Sequence, residues 1–470
     1  MISSIEIILP EILLITTVMM MQIWAVFTKK SERTLSTITI AALIIIIGVL
    51  IYYPTPYGYY NNSFLTSSVI NLFKAVILSL TVMSLFIYRD FVKIVKQKFK
   101  MEFVTMVLLS TLGIFISISA RDLLLLFCGL ELQALAGYAL AAFNTQDERS
   151  SEASLKYFIL GALMSAIMLM GMSFLYGFSG GINFADIKYF MTYKPSIGLV
   201  CGVLFIVAAI LFKLSAAPFH MWTPDVYEGA PISSVSYFAT APKIGMLLVL
   251  INILDGVAGG YELISQELIK IIAIMSMLIG ALGAIGQDSL KRLMAYSTIS
   301  NIGYALMAVS LYSVSGNNVA YIYVLIYTIG TIGLFGSFVA LFGEDSDNAT
   351  FDDLKGASYS RKALSASIAV IVFSMIGLPP FAGFFGKYYV FLSAIQNNEL
   401  LLVIIGIISS VISAFYYLKI VKYLYFFKPL KAFKKSLLKK DYGLLLLTFS
   451  NITIFFLLCI NIINKYFVLI

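Results

Sequence analysis

Eight lysines fall inside long apolar runs of this sequence: Lys74, Lys156, Lys213, Lys243, Lys270, Lys387, Lys419 and Lys422. Lys270, Lys419 and Lys422 lie near the ends of those runs, where a long side chain can bring its ammonium to a water interface. Lys156 is also close to an end but can reach inward. Lys74, Lys213, Lys243 and Lys387 lie deeper, where a lysine costs about 2.5–3.5 kcal/mol even on a lenient insertion scale. Three acidic residues share this setting. Glu11 follows Pro10, Asp122 opens an apolar run, and Glu131 sits within LLLLFCGLELQALAGYAL. The only basic residue near Glu131 in sequence is Arg121, at the far end of its run, so its partner must come from another element. One carboxylate and several lysines in apolar surroundings can make a structural ion pair or a proton relay, and the number of lysines favours the relay. The single histidine, His220, cannot build a metal site alone. Cys128, Cys201 and Cys459 fit no metal or disulfide spacing and read as small core residues.

The elements that must hold these groups follow from composition. The chain has 470 residues, 60% of them hydrophobic and 12% charged, with a mean hydropathy of +0.95. Soluble domains carry about twice that charge, so a water-soluble enzyme, a disordered chain and a collagen-like chain are excluded. The apolar runs are continuous rather than alternating, which predicts membrane helices and not a barrel. The fold class is an all-α polytopic membrane protein with fourteen predicted spans: 5–28, 35–53, 65–88, 102–119, 121–143, 153–177, 196–222, 232–253, 268–287, 293–312, 319–342, 363–396, 401–426 and 442–464. The first is a retained span, because no basic region precedes it and no small-residue cleavage site follows.

Charge tests that division. The loops on one side carry 20 of the 32 Lys and Arg residues, and the other side, with both termini, carries 4. Positive residues collect on the cytoplasmic side, so both termini are expected outside the cytoplasm and the number of spans is even. The net charge of +8 is thereby a topology signal, and no nucleic acid partner is implied. The basic stretch from Lys428 to Lys440 reads as a cytoplasmic signal in contact with lipid. The acidic run from Glu344 to Asp353 reads as a solvated loop. Tyr296, Ser297, Thr298, Ser300 and Asn301 form a polar stripe in the tenth span, either holding water or bonding neighbouring helices.

Two stretches interrupt apolar runs in similar words, FKLSAAPFHMWTPDVYEGAP (212–231) and MIGLPPFAGFFGKYYVF (375–391). Each contains a Pro-Phe pair, and proline frees a carbonyl one turn earlier. Lys213 precedes Pro218 by five residues and Lys387 follows Pro380 by seven. Discontinuous helices at matching places point to internal repeats around a transport site. The repeats would be spans 4–8 and 9–13, and five spans each makes them inverted. The implied division is a three-helix segment over 1–100, repeats over 101–255 and 256–427, and a basic loop with the last helix over 428–470.

Together LELQALAGYALAAF, EASLKYFILGALMSAIMLMGMSFLYGFSG, LFKLSAAPFHMWTPDVYEGAP, KRLMAYSTISNIGYAL and GLPPFAGFFGKYYVF resemble the antiporter-like subunits of proton-pumping NADH:quinone oxidoreductase, respiratory complex I. The resemblance is nearest to the N-type subunits, whose mitochondrial counterpart is subunit 2, and is strongest from about 120 to 395. It implies a proton pathway of Glu131 in the fifth span, Lys213 and Lys387 in the broken seventh and twelfth helices, and Lys243 in the eighth. Lys156 in the sixth span matches a further family lysine. M-type sister subunits usually carry glutamate at the twelfth-helix position, and L-type ones continue into a lateral helix for which nothing after residue 464 provides.

An ammonium in a low-dielectric site holds its proton less tightly than in water, and a nearby carboxylate opposes that. Moving Glu131 and Lys213 together or apart would capture or release a proton, Lys243 would pass it on through internal water, and Lys387 would receive it. His220, just beyond Pro218, joins this chain or bonds a freed carbonyl. Pro242, directly before Lys243, is expected to kink the eighth helix.

The sequence has no nucleotide-binding loop, flavin signature or cluster ligands. No cofactor is therefore expected in this chain, and FMN and iron–sulfur clusters are expected in partner subunits. The implied partners are other complex I membrane-arm subunits, including sister antiporter-like subunits, and lipid, with quinone reached only through the complex. The implied location is the bacterial inner membrane, or the mitochondrial inner membrane if organelle-encoded. The alternative is a core subunit of a multi-subunit cation/proton antiporter. The buried lysines speak against a non-conducting scaffold.

Overall fold

Long apolar segments fold as helices in a membrane because each backbone N–H must find a partner within its own segment. A computed structural model describes residues 4–27, 32–52, 58–60, 62–95, 100–259 and 262–429. Helices α1 (Ser4–Phe27) and α2 (Glu32–Tyr52) precede a small antiparallel hairpin of β1 (Gly58–Tyr60) and β2 (Phe64–Thr66). Then come α3 (Ser68–Val95), α4 (Met101–Ser119), α5 (Leu123–Ala141), α6 (Glu148–Ser179) and the short α7 (Phe184–Tyr193). The middle of the chain holds α8 (Ile197–Leu214), α9 (Trp222–Gly229), α10 (Ile232–Phe238) and α11 (Ala241–Val257). It continues with α12 (Glu262–Ile285), α13 (Leu290–Val309), α14 (Val314–Phe342) and α15 (Ala357–Ser360). The described chain ends with α16 (Lys362–Ile376), α17 (Ala382–Gln396) and α18 (Leu400–Phe426).

Local chemistry fixes several starts. The Asp122 carboxylate accepts from Leu125 N at 2.6 Å and caps α5, and Asp147 accepts from Arg149 N at 3.0 Å and caps α6. Ser313 does the same for α14 through Gly316 N at 3.0 Å. Among the described residues, ten helical segments are long and apolar enough to cross a membrane. Ser36–Tyr52 and Lys362–Ile376 are shorter apolar helices. The last expected span, 442–464, and most of the basic stretch before it lie outside the described residues.

The seventh and twelfth spans are interrupted. After α8 the chain turns through Ser215, at φ 67°, and a stretch of turns before α9. After α16 it turns through Gly377, at φ 92°, a left-handed conformation that favours glycine. The Gly377 N–H is shared between the Phe373 and Ser374 carbonyls, and Leu378 N also reaches Phe373 O. Gly383 brings α17 against the end of α16, where its N–H donates to Ser374 Oγ at 3.1 Å and a Cβ would strike the Ser374 carbonyl. The Ala217–Pro218 and Pro379–Pro380 bonds are both cis.

The expected kink at Pro242 takes another form. The span breaks between α10 and α11, and Pro242 occupies the first turn of α11, where its missing N–H has no intrahelical partner to lose. The acidic run keeps Glu344, Asp345 and Asp352 exposed, as expected of a solvated loop, but part of it is ordered. It folds as a 3-10 turn, Gly343–Asn348, with Ser346 buried. Its Asp347 accepts from Ile232 N at 2.7 Å at the start of α10 and lies 3.8 Å from Lys291 Nζ. A helix-start backbone donor and a nearby ammonium draw the carboxylate in. The core assignment for the cysteines also needs correcting. Cys128 is exposed on the outer side of α5 and Cys201 is half-buried, while Cys459 lies outside the described residues. Apolar neighbours in sequence do not tell the lipid-facing side of a helix from its packed side.

The described residues fall into two compact units. One draws on Met1–Val92, Gln97–Leu214 and Ala241–Ser265, the other on Lys93–Lys96, Ser215–Thr240 and Gln266–Ile470. In the first, α4 packs on α5, α6 on α8, and α11 on both α4 and α8. In the second, α14 packs on α13, α16 and α17, and α18 on α16.

Candidate functional site

In the first unit, α5, α6, α8 and α11 bring Glu131, Lys213 and Lys243 to one region. Lys243 is buried, and its ammonium donates to the main-chain carbonyl of Lys213 at 3.0 Å. That carbonyl belongs to the last turn of α8, where the interruption leaves it without an intrahelical partner. Lys213 in turn donates to the Leu130 carbonyl on α5 at 3.1 Å. The neighbouring residue, Glu131, accepts a short hydrogen bond from the Ser165 hydroxyl on α6. Its carboxylate acts on the Lys213 ammonium through space, but the two form no direct ion pair among the described residues. The contact between the two helices passes instead through the main chain beside the glutamate.

In the second unit, Lys387 lies on α17 and is buried. Its ammonium donates to Ile376 O and to Ser410 Oγ, both at 2.9 Å, and stands 5.1 Å from the centre of the Tyr304 ring. Ile376 is the last residue of α16, so Lys387 also satisfies a carbonyl at the end of an interrupted helix. Lys243 and Lys387 thus play the same local part. Each places positive charge at a helix C-terminus, where the macrodipole favours a cation by about 0.3–1 kcal/mol and by up to about 2 kcal/mol when partly buried.

A polar network accompanies Lys387. Tyr323 donates to Asn301 Oδ1 at 2.6 Å, Asn301 Nδ2 donates to Ser297 O at 2.8 Å, and Thr298 and Tyr327 hydroxyls meet at 2.8 Å. Ser297 and Tyr417 share a further short bond. Much of the polar stripe therefore binds neighbouring helices. Ser300 Oγ is buried without a partner among the described residues, and Tyr296 is half-buried against Gly283.

The remaining expected residues lie elsewhere. His220 is buried within the break, facing the Pro218 carbonyl, and its Nδ1 has no partner among the described residues. Lys156 is half-buried on α6 and pairs with Glu152 at 2.8 Å, one turn away on the same helix. Three serines escaped the sequence reading: Ser165 at Glu131, Ser410 at Lys387, and Ser276, whose hydroxyl accepts the Ala217 amide at 2.8 Å. No spacing announces them, because each reaches its partner from a helix distant in sequence.

The NADH:quinone oxidoreductase/Mrp antiporter transmembrane family matches residues 120–413. NADH-quinone oxidoreductase subunit N of Rickettsia felis is 48% identical over 443 residues, covering 94% of this chain and 96% of that one. A chain of respiratory complex I from Thermus thermophilus, solved with bound aureothin, superposes with a TM-score of 0.81 at 25% identity, covering 95% of this chain and 96% of that chain. A chain of the Mrp complex from Dietzia shares the fold at a TM-score of 0.80 and 16% identity, covering 96% of this chain and 94% of that chain. From its matched span and its likeness to subunit N, the chain belongs to the NADH:quinone oxidoreductase/Mrp antiporter transmembrane family.

Proposed function

We propose that the chain is a membrane-arm subunit of a bacterial NADH:quinone oxidoreductase and that it moves protons through Glu131, Lys213, Lys243 and Lys387. The observation that carries this reading is the placement of Lys243 and Lys387 on carbonyls at the ends of interrupted helices. A lysine whose ammonium donates to a helix-end carbonyl exchanges its proton more readily than an arginine would there. Glu131, next to the residue whose carbonyl receives Lys213, supplies the carboxylate of this pathway. Internal water would complete the steps between side chains. His220 is an accessory candidate, and Lys156 a surface contributor through Glu152.

On this reading NADH oxidation and quinone reduction take place in other subunits, which hold FMN and iron–sulfur clusters, and this chain binds no redox cofactor. Its neighbours are further membrane-arm subunits, sister antiporter-like chains among them, and lipid. The division 1–100, 101–255, 256–427 and 428–470, with inverted repeats over spans 4–8 and 9–13 of fourteen, and both termini outside the cytoplasm, belongs to the same proposal. Its support is the one-sided distribution of Lys and Arg and the two interrupted helices. The 48% identity to a subunit N over nearly the whole chain favours this assembly over a cation/proton antiporter, since the Mrp chain is 16% identical.

The test is proton pumping by the purified, reconstituted complex carrying Lys213→Ala. Pumping and quinone-linked NADH oxidation should fall together. Unchanged pumping in a fully assembled complex would remove Lys213 from the pathway.

A further inference from the structure

Glu11 and Lys74 take no part in the pathway above. Glu11 lies seven residues into α1 and Lys74 six into α3. At about 1.5 Å per residue both are roughly 10 Å from the starts of their helices. Both are buried, at 2% and 0% exposure, and Lys74 Nζ stands 2.6 Å from Glu11 Oε1. Phe64 from β2 and Phe115 from α4 set their rings 5.1 Å and 5.8 Å from the ammonium.

The pair differs from the other deep lysines. Lys213, Lys243 and Lys387 each donate to a main-chain carbonyl. Lys74 has no such acceptor. Although the charged ends are close, neither Glu11 oxygen nor the Lys74 nitrogen has a well-angled hydrogen-bond partner among the described residues. An ammonium has three donors and a carboxylate about four acceptor sites, and most of these are unused. Lys74 therefore faces a group that can itself take a proton. Polar groups lead from it toward the hairpin. Asn71 is one turn earlier on α3, and the Thr66 hydroxyl on β2 donates to Asn71 Oδ1 at 3.4 Å, both residues being buried.

We propose that Glu11 and Lys74 form a further proton-exchanging site, opening through Asn71 and Thr66 beneath the 58–66 hairpin. Transfer from Lys74 Nζ to Glu11 Oε1 breaks one N–H bond and makes one O–H bond, leaving a neutral amine beside a neutral acid. In a low-dielectric interior the charged pair loses hydration that it would keep in water, so the charged and neutral forms lie closer together there. The acid then gives its proton to water on the Asn71 side, and the amine takes one from water, restoring the ion pair. Each cycle moves one proton in and one out. A pair that served only to pin α1 to α3 would stay charged throughout.

The inference rests on the proton-translocating reading for its consequence, and its experiment separates the two. The assembled complex is examined by infrared difference spectroscopy on addition of NADH, in H2O and D2O, and by protons pumped per NADH in proteoliposomes. The wild type should show a carboxylic-acid band that shifts in D2O and is lost in Glu11→Gln. The double variant Glu11→Gln/Lys74→Met, which removes both charges together, should pump fewer protons per NADH. If these variants fail to assemble, the swapped variant Glu11→Lys/Lys74→Glu keeps a buried pair and should keep the band. Lack of any Glu11-dependent band, or a wild-type proton ratio in the double variant, overturns the proposal. Normal pumping by Lys213→Ala would instead strike the main pathway and leave the Glu11 band unaffected.

Discussion

The Lys243 ammonium bonds to the backbone carbonyl of Lys213 at 3.0 Å. The place of this ammonium therefore depends on where its neighbour's helix ends. Replacing Lys213 leaves that carbonyl in place, whereas replacing Lys243 strands it. Lys243→Met should cost about 1–3 kcal/mol locally, the price of a buried acceptor left unpaired, and should abolish pumping. Thermal unfolding of the purified complex, alongside reconstituted pumping, checks both effects. A variant of wild-type stability would show that Lys213 O has another donor.

Lys213→Arg should impair pumping nearly as much as Lys213→Ala. Guanidinium remains charged at any working pH and cannot relay a proton, and its planar fork fits a single carbonyl poorly. Full activity of the arginine variant would argue that Lys213 works as a fixed charge.

Glu131→Gln should leave assembly intact, because the amide oxygen can still accept from Ser165. It removes the through-space charge on Lys213, so turnover should slow and its pH profile should differ from that of the wild type. A superposable pH profile would deny Glu131 a switching role.

Lys387→Met should stop pumping, since it removes the donor to both Ile376 O and Ser410 Oγ. Lys387→Glu is a sharper probe. An ionised carboxylate cannot donate to the Ile376 carbonyl, but a protonated one can. Partial activity is expected from the glutamate variant and none from the methionine one, measured as proton uptake in vesicles. Equal loss in both would exclude proton exchange through a carboxyl at this position.

Asp347→Ala should destabilise the protein by about 1 kcal/mol, the usual cost of losing a helix-start acceptor. Asp347 serves Ile232 N and lies near Lys291, so limited proteolysis should cut the 343–350 loop faster in the variant. An unchanged cleavage rate would return this segment to the status of a free loop.

The helical plan was legible because apolar runs and prolines are local signals. Long uninterrupted runs gave the spans, and Pro218 and Pro380 marked the breaks. The deep lysines could be named because charge in such a run is costly. Their partners could not. Main-chain carbonyls carry no sequence signature, so the bonds from Lys213 to Leu130 and from Lys387 to Ile376 were unreadable. Lys74 and Glu11 were each visible as buried charges, but 63 residues apart nothing in sequence joined them. Asp347 misled for the opposite reason, since a run of acids looks solvated until a backbone donor is brought to it.

Residues 215–240 pack with the second unit although the chain before and after them packs with the first. Arg292 meets Asp225 and Glu228, Lys291 reaches Ala230 O, and Ser276 takes the Ala217 amide, all from chain made later. During synthesis this excursion emerges before any of those partners exists. It must wait, tethered at both ends, while the segments on either side are already able to pack. No single cut divides the protein into two self-sufficient pieces: severing it near residue 265 would leave Ser215–Thr240 on the wrong fragment. Co-expressed halves should therefore assemble only as an obligate complement, and neither half should mature alone.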